Sequence, residues 1–114
     1  MSVPRWLLAL ALGTSAPACS QKVAGGSVDG RALFDTACAT CHGERGTPPP
    51  SMVAQLGVRD LRAAEFRRRA TVATVENQIR RGSANKLMPA FAGALAEEQI
   101  TALARYVIEQ LGKE

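Results

Sequence analysis

The sequence predicts an all-α fold with three main helices and short helical turns. Three stretches carry apolar residues at the spacing of an amphipathic helix, and no segment alternates apolar and polar residues as a strand does. At 114 residues the chain has room for one domain, and only 4% of its residues are aromatic. A core with so few large side chains usually needs a staple, a metal or a cofactor.

The first helix is predicted to begin at Gly30, with Asp29 as its N-cap. Apolar or small residues follow at i, i+3, i+4, i+7, i+8 and i+11, the stripe of an amphipathic helix. The stripe consists of Gly30, Leu33, Phe34, Ala37, Cys38 and Cys41. Beyond it, "GTPPPS" (46–51) is predicted as loop, because successive prolines exclude helix and central strand.

Two further helices complete the predicted fold. The second spans about 72–81, with Gly82 placed to end it, and a short turn around 63–68 precedes it. The third is "EEQITALARYVIEQL" (97–111), in which Ala96 is a weak N-cap. Glutamates in its first turn suit the positive end of the helix dipole.

Residues 1–18 are predicted to be a secretory signal peptide. Arg5 precedes the apolar run 6–12, and small residues follow. The run is shorter than the roughly 20 apolar residues that span a bilayer. The alternative, a buried N-terminal helix, is disfavoured because Gly13 and Pro17 interrupt the segment.

Cleavage after "APA" (16–18) would leave Cys19 at the new N-terminus, as a free thiol or as the lipid-modified cysteine of a bacterial lipoprotein. The segment resembles a lipobox at Ala18 and Cys19 but departs from it at Ala16. We expect lipidation, because an unpaired exposed thiol is a liability in an oxidising compartment. Residues 19–28 then form a flexible tether and 29–112 the domain, held on the periplasmic side of a membrane; without lipidation it is soluble and periplasmic.

The motif "CATCH" (38–42) holds two of the three cysteines and the only histidine. C-x-x-C-H is the attachment pattern of c-type haem. Cys38 and Cys41 are near one helical turn apart, so each can form a thioether to one of the two haem vinyl groups. His42 then supplies an axial nitrogen to the iron.

Three alternatives to haem fit the motif less well. A thioredoxin-like C-x-x-C would follow a strand in a βαβ pattern, which the sequence lacks. Zinc needs about four ligands, and beyond the motif only Cys19 adds a thiolate or imidazole. A simple disulfide does not require the histidine.

Met88 is the predicted sixth ligand of the iron. It lies in the polar loop "GSANKLMPAF" (82–91) between two helices, which can fold over the far face of the haem. Met52 follows His42 too closely to reach that face, and Met1 leaves with the signal peptide. The alternative role of any methionine is to fill the core.

The chain resembles the class I cytochromes c, among the small monohaem domains related to those of haem-copper oxidases. The matching segments are "GRALFDTACATCHGERG", "RDLRAAEFRRRATVATVENQIRRG", "LMPAF" and "EEQITALARYVIEQL", which in this order are distributed over essentially all of 29–111. The resemblance implies the class I cytochrome c fold around one covalently attached haem c.

The resemblance also implies further site residues. Gly30 and Phe34 are expected to cross the last helix at Leu103 and Tyr106. A proline carbonyl after the motif is expected to accept a hydrogen bond from the second nitrogen of His42, and Pro50 is chosen over Pro48 and Pro49.

Ligation by His42 and Met88 predicts a one-electron carrier and not an enzyme, because both axial positions of the iron are closed. Electrons would pass to redox proteins through an exposed haem edge. One alternative is a haem subunit of a larger oxidoreductase. Another is a gas or peroxide sensor or enzyme, if Met88 dissociates.

The segment from Arg59 to Lys86 contains eight basic and three acidic residues. We expect this excess of positive charge to steer acidic surfaces of redox partners, although a solvated face is the alternative. Nucleic-acid binding is disfavoured, because the charges lack a series of interleaved aromatic residues; Phe66 is the single aromatic residue in the segment.

Overall fold

The computed structural model describes residues 26–113, and these form helices and loops but no strand. In chain order the helices are α1 (Gly30–Ala37), α2 (Ala39–His42), α3 (Pro50–Leu56), α4 (Ala64–Arg69), α5 (Val72–Arg81) and α6 (Glu97–Arg105), followed by a π-helical turn (Tyr106–Gln110) and a 3₁₀ turn (Leu111–Lys113). The all-α fold is confirmed. The predicted signal peptide, Cys19 and the tether up to residue 25 lie outside the described residues. Within 26–113, no helix has both the length and the apolar composition needed to cross a membrane.

The first predicted helix is divided in two. The Asp29 carboxylate caps α1 as expected, accepting hydrogen bonds from the backbone N–H groups of Arg31 and Ala32 at 2.9 and 3.1 Å. The helix ends at Cys38, whose backbone (φ −122°, ψ −35°) leaves the helical region. A four-residue helix, α2, then carries the rest of the motif.

The C-terminal helix crosses α1 as the resemblance implies. An added Cβ at Gly30 would collide with the Ala102 carbonyl and lie 2.7 Å from the Cβ of Tyr106. The Phe34 and Tyr106 rings meet with centroids 5.5 Å apart and planes tilted by 52°. Glycine therefore lets the two backbones approach, and the aromatic pair fills the crossing.

The proline-rich segment was predicted entirely as loop, and this prediction is wrong at its end. Pro50 is the first residue of α3, where its missing N–H costs nothing and its fixed φ suits a helix. Pro49 precedes the helix with an extended backbone (ψ 144°). Successive prolines exclude a helix interior but not a helix start.

The central helices lie close to their predicted limits. Helix α5 has the predicted range and ends at Gly82, while α4 begins and ends one residue later than expected. Thr71 and Thr74 cap α5 reciprocally, since each side-chain oxygen accepts the other's backbone N–H at 3.2 and 2.9 Å.

The last helix was predicted to be uniform to residue 111, but it widens into the π-helical turn after Arg105. The Leu111 N–H bonds the Tyr106 carbonyl across this turn. Arg67, from α4, donates hydrogen bonds to the carbonyl oxygens of Val107 and Ile108 at 2.6 and 2.5 Å. A cation from another helix therefore satisfies carbonyls near this helix end.

Helix α6 packs against both α1 and α5, and the core lies between them. The buried apolar residues are Leu33, Phe34, Leu61, Val75, Ile79, Leu95, Ile100, Leu103, Ala104, Tyr106, Val107 and Leu111.

Gln99 is fully buried in this otherwise apolar environment. Its side chain accepts the Ala96 N–H at 3.0 Å, which compensates for the weak N-cap. Its amide also donates to the Ser27 carbonyl at 2.9 Å. The structure therefore places Ser27, which the sequence assigned to the tether, in contact with the domain.

Candidate functional site

The "CATCH" motif consists of Cys38, which ends α1, and the four residues of α2. The N–H groups of Cys41 and His42 both bond the Cys38 carbonyl, at 3.2 and 3.0 Å. Both thiols are free and partly buried, and Cys38 packs against the core. The backbone therefore brings two thiols and an imidazole together on one turn.

The electrostatics of this turn favour neutral groups. Burial, together with Cys41, raises the pKa of Cys38 to about 12, so this side chain is a protonated thiol at neutral pH. Burial lowers the pKa of His42, and a hydrogen bond to the Arg59 carbonyl opposes that shift. A neutral imidazole keeps a lone pair for a metal ion.

His42 is oriented by a residue that the sequence analysis did not select. Its Nδ1 lies 3.0 Å from the carbonyl oxygen of Arg59, and with its proton on Nδ1 the ring donates to that oxygen. The acceptor in the structure is therefore Arg59 and not the predicted Pro50, which is the first residue of α3. The Nε2 of His42 is left as the nitrogen available for the iron.

Arg59 is held in place by contacts across the loop. The Asp60 carboxylate accepts hydrogen bonds from the Thr47 hydroxyl at 3.3 Å and the Arg62 N–H at 2.8 Å. The Leu61 N–H bonds the Gly46 carbonyl at 2.8 Å. Residues just after the motif, Gly46 and Thr47, are therefore hydrogen-bonded to the residues that follow Arg59, whose carbonyl is the acceptor for His42.

Met88 lies in the loop between α5 and α6, which we call the Met88 loop (residues 82–91). Its side chain is partly buried and packs against the core. The loop is anchored beyond Met88 by a hydrogen bond from the Phe91 N–H to the Ile79 carbonyl at 3.0 Å. Met52 instead lies within α3 and is not among the side chains that pack on the core in the described part of the chain.

Both the N–H and the carbonyl of Met88 form hydrogen bonds with Ser83. The Met88 N–H donates to the Ser83 hydroxyl, and the Ser83 N–H donates to the Met88 carbonyl, both at 3.0 Å. Sequence reasoning missed Ser83 and Arg59. Only the Gly-Ser pair after α5 hinted at a structured turn.

This donor set fits a covalently attached haem. Cys38 and Cys41 would form the thioethers, the Nε2 of His42 would be one axial ligand, and the thioether of Met88 is the candidate for the other. This fit rests on one observation: the hydrogen bond to the Arg59 carbonyl occupies Nδ1 of His42, so Nε2 is available to bind the iron.

Several cations of the basic segment have partners in the structure, and one of these, Arg69, is also exposed. Arg67 binds backbone carbonyls, Arg69 lies 3.6 Å from Glu65, and Arg80 lies 2.7 Å from Glu97. The exposed basic residues of the segment are Arg59, Arg68, Arg69, Arg81 and Lys86. The surface charge is therefore smaller than the sequence count suggested.

Comparison with known proteins gives a family match over most of the chain. The family model described as "Cytochrome C oxidase, cbb3-type, subunit III" matches residues 28–107. No curated protein matches the chain.

Solved structures of c-type cytochromes are similar to this chain. The KustC0563 c-type cytochrome is 32% identical, with a TM-score of 0.62, over 69% of this chain and 93% of that one. A mutant of the same protein gives 32% identity and a TM-score of 0.62, over 71% and 96%. Cytochrome c6C from Synechococcus sp. PCC 7002 is 25% identical, with a TM-score of 0.58, over 75% and 98%. These similarities confirm the predicted fold and the covalently bound haem c.

Proposed function

The chain belongs to this family of small monohaem class I cytochrome c domains, and we propose that it acts as a one-electron carrier between redox proteins. When bound, haem supplies an iron that alternates between the ferrous and ferric states. Cys38 and Cys41 retain the group covalently, so it is not lost during repeated docking. His42 and Met88 are the proposed axial ligands.

The observation that carries this proposal is the way both ligands are held. The Arg59 carbonyl fixes the ring of His42, and Ser83 bonds both backbone polar groups of Met88. Ligation of the iron by both side chains would leave no open position for dioxygen, peroxide or carbon monoxide. A carrier needs this closure, whereas a gas sensor or peroxidase needs an open position.

The test is carbon monoxide binding by the ferrous protein at neutral pH. The wild type should bind poorly, and Met88→Ala should bind rapidly and show a lower reduction potential. Met52→Ala is the matched control and should behave as the wild type, because Met52 lies in α3. Rapid stoichiometric binding by the wild type would contradict the carrier proposal and favour the sensor or peroxidase.

A second candidate function is that of a haem subunit within a larger oxidoreductase. It is favoured by the description of the matching family, which names an oxidase subunit. Purification of the tagged chain from its own cells in mild detergent separates the two proposals. A carrier should elute alone, whereas a subunit should elute in a stable complex with other polypeptides.

We also propose that the domain works on the periplasmic side of a bacterial membrane, anchored by a lipid on Cys19. The support is the signal-like sequence of residues 1–18 and the "APAC" segment. Mass spectrometry of the mature N-terminus should find acylated Cys19, and Cys19→Ala should release the protein or leave it unprocessed. Soluble wild type with an unmodified Cys19 would support simple secretion.

Exposed basic residues between 59 and 86 are proposed to guide an acidic partner. Such guidance raises the association rate at low ionic strength more than the affinity. The second-order electron-transfer rate should therefore fall as salt is added, and the fall should be weaker in an Arg68→Gln/Arg81→Gln variant. An equal salt dependence in both proteins would leave these residues as a solvated face.

A further inference from the structure

We infer that Ser83 is a positioning residue that holds the Met88 thioether in its binding place, an inference that rests on the proposed ligation by Met88. Ser83 lies directly after Gly82, which ends α5, and five residues before Met88. It contacts the backbone of Met88 and not the proposed iron ligand atom.

The N–H, the carbonyl and the hydroxyl of Ser83 all form hydrogen bonds with other residues of the Met88 loop. Its N–H donates to the Met88 carbonyl at 3.0 Å, and its carbonyl accepts the Lys86 N–H at 3.0 Å. Its hydroxyl accepts the Met88 N–H at 3.0 Å and donates to the Asn85 side-chain oxygen at 2.6 Å. The same Asn85 oxygen accepts the Leu87 N–H at 3.1 Å. These hydrogen bonds close residues 83–88 on themselves.

Leu87 does little to hold this stretch, because it is 53% exposed, so the apolar contact comes from the partly buried side chain of Met88. Lys86 adopts a positive φ of 60°, which a non-glycine residue adopts only at some cost in energy. The hydrogen bonds of Ser83 therefore act together with the packing of Met88 to oppose loosening of the loop.

Removal of the Ser83 hydroxyl would leave the Met88 N–H without its acceptor and the Asn85 side chain without its donor. Both losses are local, since all the affected partners lie between residues 83 and 88. The expected consequence is a more easily displaced Met88 in a domain that remains folded.

The experiment measures binding of imidazole to the ferric, haem-loaded protein, because imidazole must displace Met88 to reach the iron. The loss of one hydrogen bond to a neutral group corresponds to an affinity change of roughly threefold to tenfold. Ser83→Ala should bind imidazole more tightly by about that factor. Ser83→Thr, which keeps the hydroxyl, should restore wild-type affinity, and Asn85→Ala should be intermediate.

The matched control is Thr36→Ala. Like Ser83→Ala, it removes a hydroxyl that bonds the backbone; the Thr36 hydroxyl donates to the Ala32 carbonyl at 2.8 Å, on an exposed face of α1. Its imidazole affinity should equal that of the wild type. The thermal unfolding midpoints of Ser83→Ala and Thr36→Ala should be similar, which separates positioning from general stability.

Two outcomes would overturn the inference in distinguishable ways. If the wild type shows the long-wavelength band of iron–methionine ligation but Ser83→Ala binds imidazole no more tightly, Ser83 does not position Met88 and the carrier proposal stands. If the wild type lacks that band, Met88 is not the ligand, and the proposed function fails together with this inference.

Discussion

The two proposed axial ligands are held by different kinds of contact. The acceptor for His42 comes from Arg59, seventeen residues further along the chain. The partner of Met88 is Ser83, and residues 83–88 close on themselves. The His42 side therefore depends on the tertiary fold, whereas the Met88 side depends on a local loop. A local loop can loosen without unfolding the domain, so ligand exchange is expected on the Met88 side.

Close packing on the His42 side continues into the core. Gly46 accepts the Leu61 N–H, and an added Cβ at Gly46 would lie 2.6 Å from a Leu111 methyl group. The loop after the motif is thus pressed against the end of the C-terminal helix. A substitution that distorts this loop should therefore lower the stability of the whole domain.

The largest effect is expected from the loss of haem attachment. Cys38→Ala/Cys41→Ala should lose much of the helical signal in far-ultraviolet circular dichroism, because haem forms a large part of the interior in a chain with so few aromatic residues. Native-like helicity with cooperative melting in this variant would show that the polypeptide core suffices.

Gly46→Ala should destabilise the domain strongly. Its φ is +83°, and strain in that region (~1–2 kcal/mol) adds to overpacking against Leu111 (~1–3 kcal/mol). We expect a loss of about 2–5 kcal/mol in the free energy of unfolding, measured by denaturant titration of the haem-loaded protein.

Gly57→Ala is the matched control for Gly46→Ala. Gly57 has a similar positive φ (+62°), but an added Cβ there would meet nothing within 4 Å. Only the strain of about 1–2 kcal/mol should remain. Equal losses of unfolding free energy in the two variants would mean that contact with Leu111 does not contribute. The His42 side would then be less dependent on the tertiary fold than we infer.

Gly82→Ala should disturb the Met88 side directly, because the atoms nearest to the added Cβ belong to the backbone of the Met88 loop. An added Cβ would lie 2.5 Å from the Met88 carbonyl oxygen, and φ +71° with ψ −171° is a conformation nearly restricted to glycine. We expect loss of the iron–methionine band, and backbone strain of about 1–3 kcal/mol adds to the cost of moving the loop away from the added Cβ. Gly93→Ala, with open space around it, should keep the band. Global unfolding by Gly82→Ala would contradict the view of a locally held loop.

The smallest effect is expected from the ion pair that brackets the Met88 loop. Arg80, near the end of α5, bonds Glu97 at the start of α6, and this hydrogen bond lowers the pKa of Glu97. A lowered pKa stabilises the folded protein above the ordinary glutamate value of about 4.3, and the benefit is lost as the pH falls through the folded value.

Glu97→Gln should therefore lower the melting temperature slightly at neutral pH, and the difference from the wild type should vanish in acid and shrink in about 1 M salt. The same variant should leave imidazole affinity unchanged. A clear change in that affinity would mean that the Met88 loop depends on the surrounding helices, contrary to the comparison.

Local patterns predicted most of the helices. Asp29 and Gly82 marked helix ends correctly because capping depends on a residue and its nearest neighbours. The start of α3 at Pro50 was missed because proline in the first turn is compatible with helix, a positional exception to its usual effect. The widening after Arg105 was missed because Arg67 bonds that helix from α4.

The sequence by itself determined the helical fold and the haem-attachment motif, because each depends on residue types at short, regular spacings. It also determined the choice of Met88 as candidate ligand, because few methionines are present and only Met88 lies in a loop between two predicted helices. Only the tertiary structure decided that Arg59, and not Pro50, orients His42, and that Gln99 ties Ser27 to α6. Every residue has a backbone carbonyl, so the amino-acid sequence does not indicate which carbonyl accepts the hydrogen bond from the imidazole. The acceptor is determined by the tertiary fold, which brings the segment around Arg59 back to the motif.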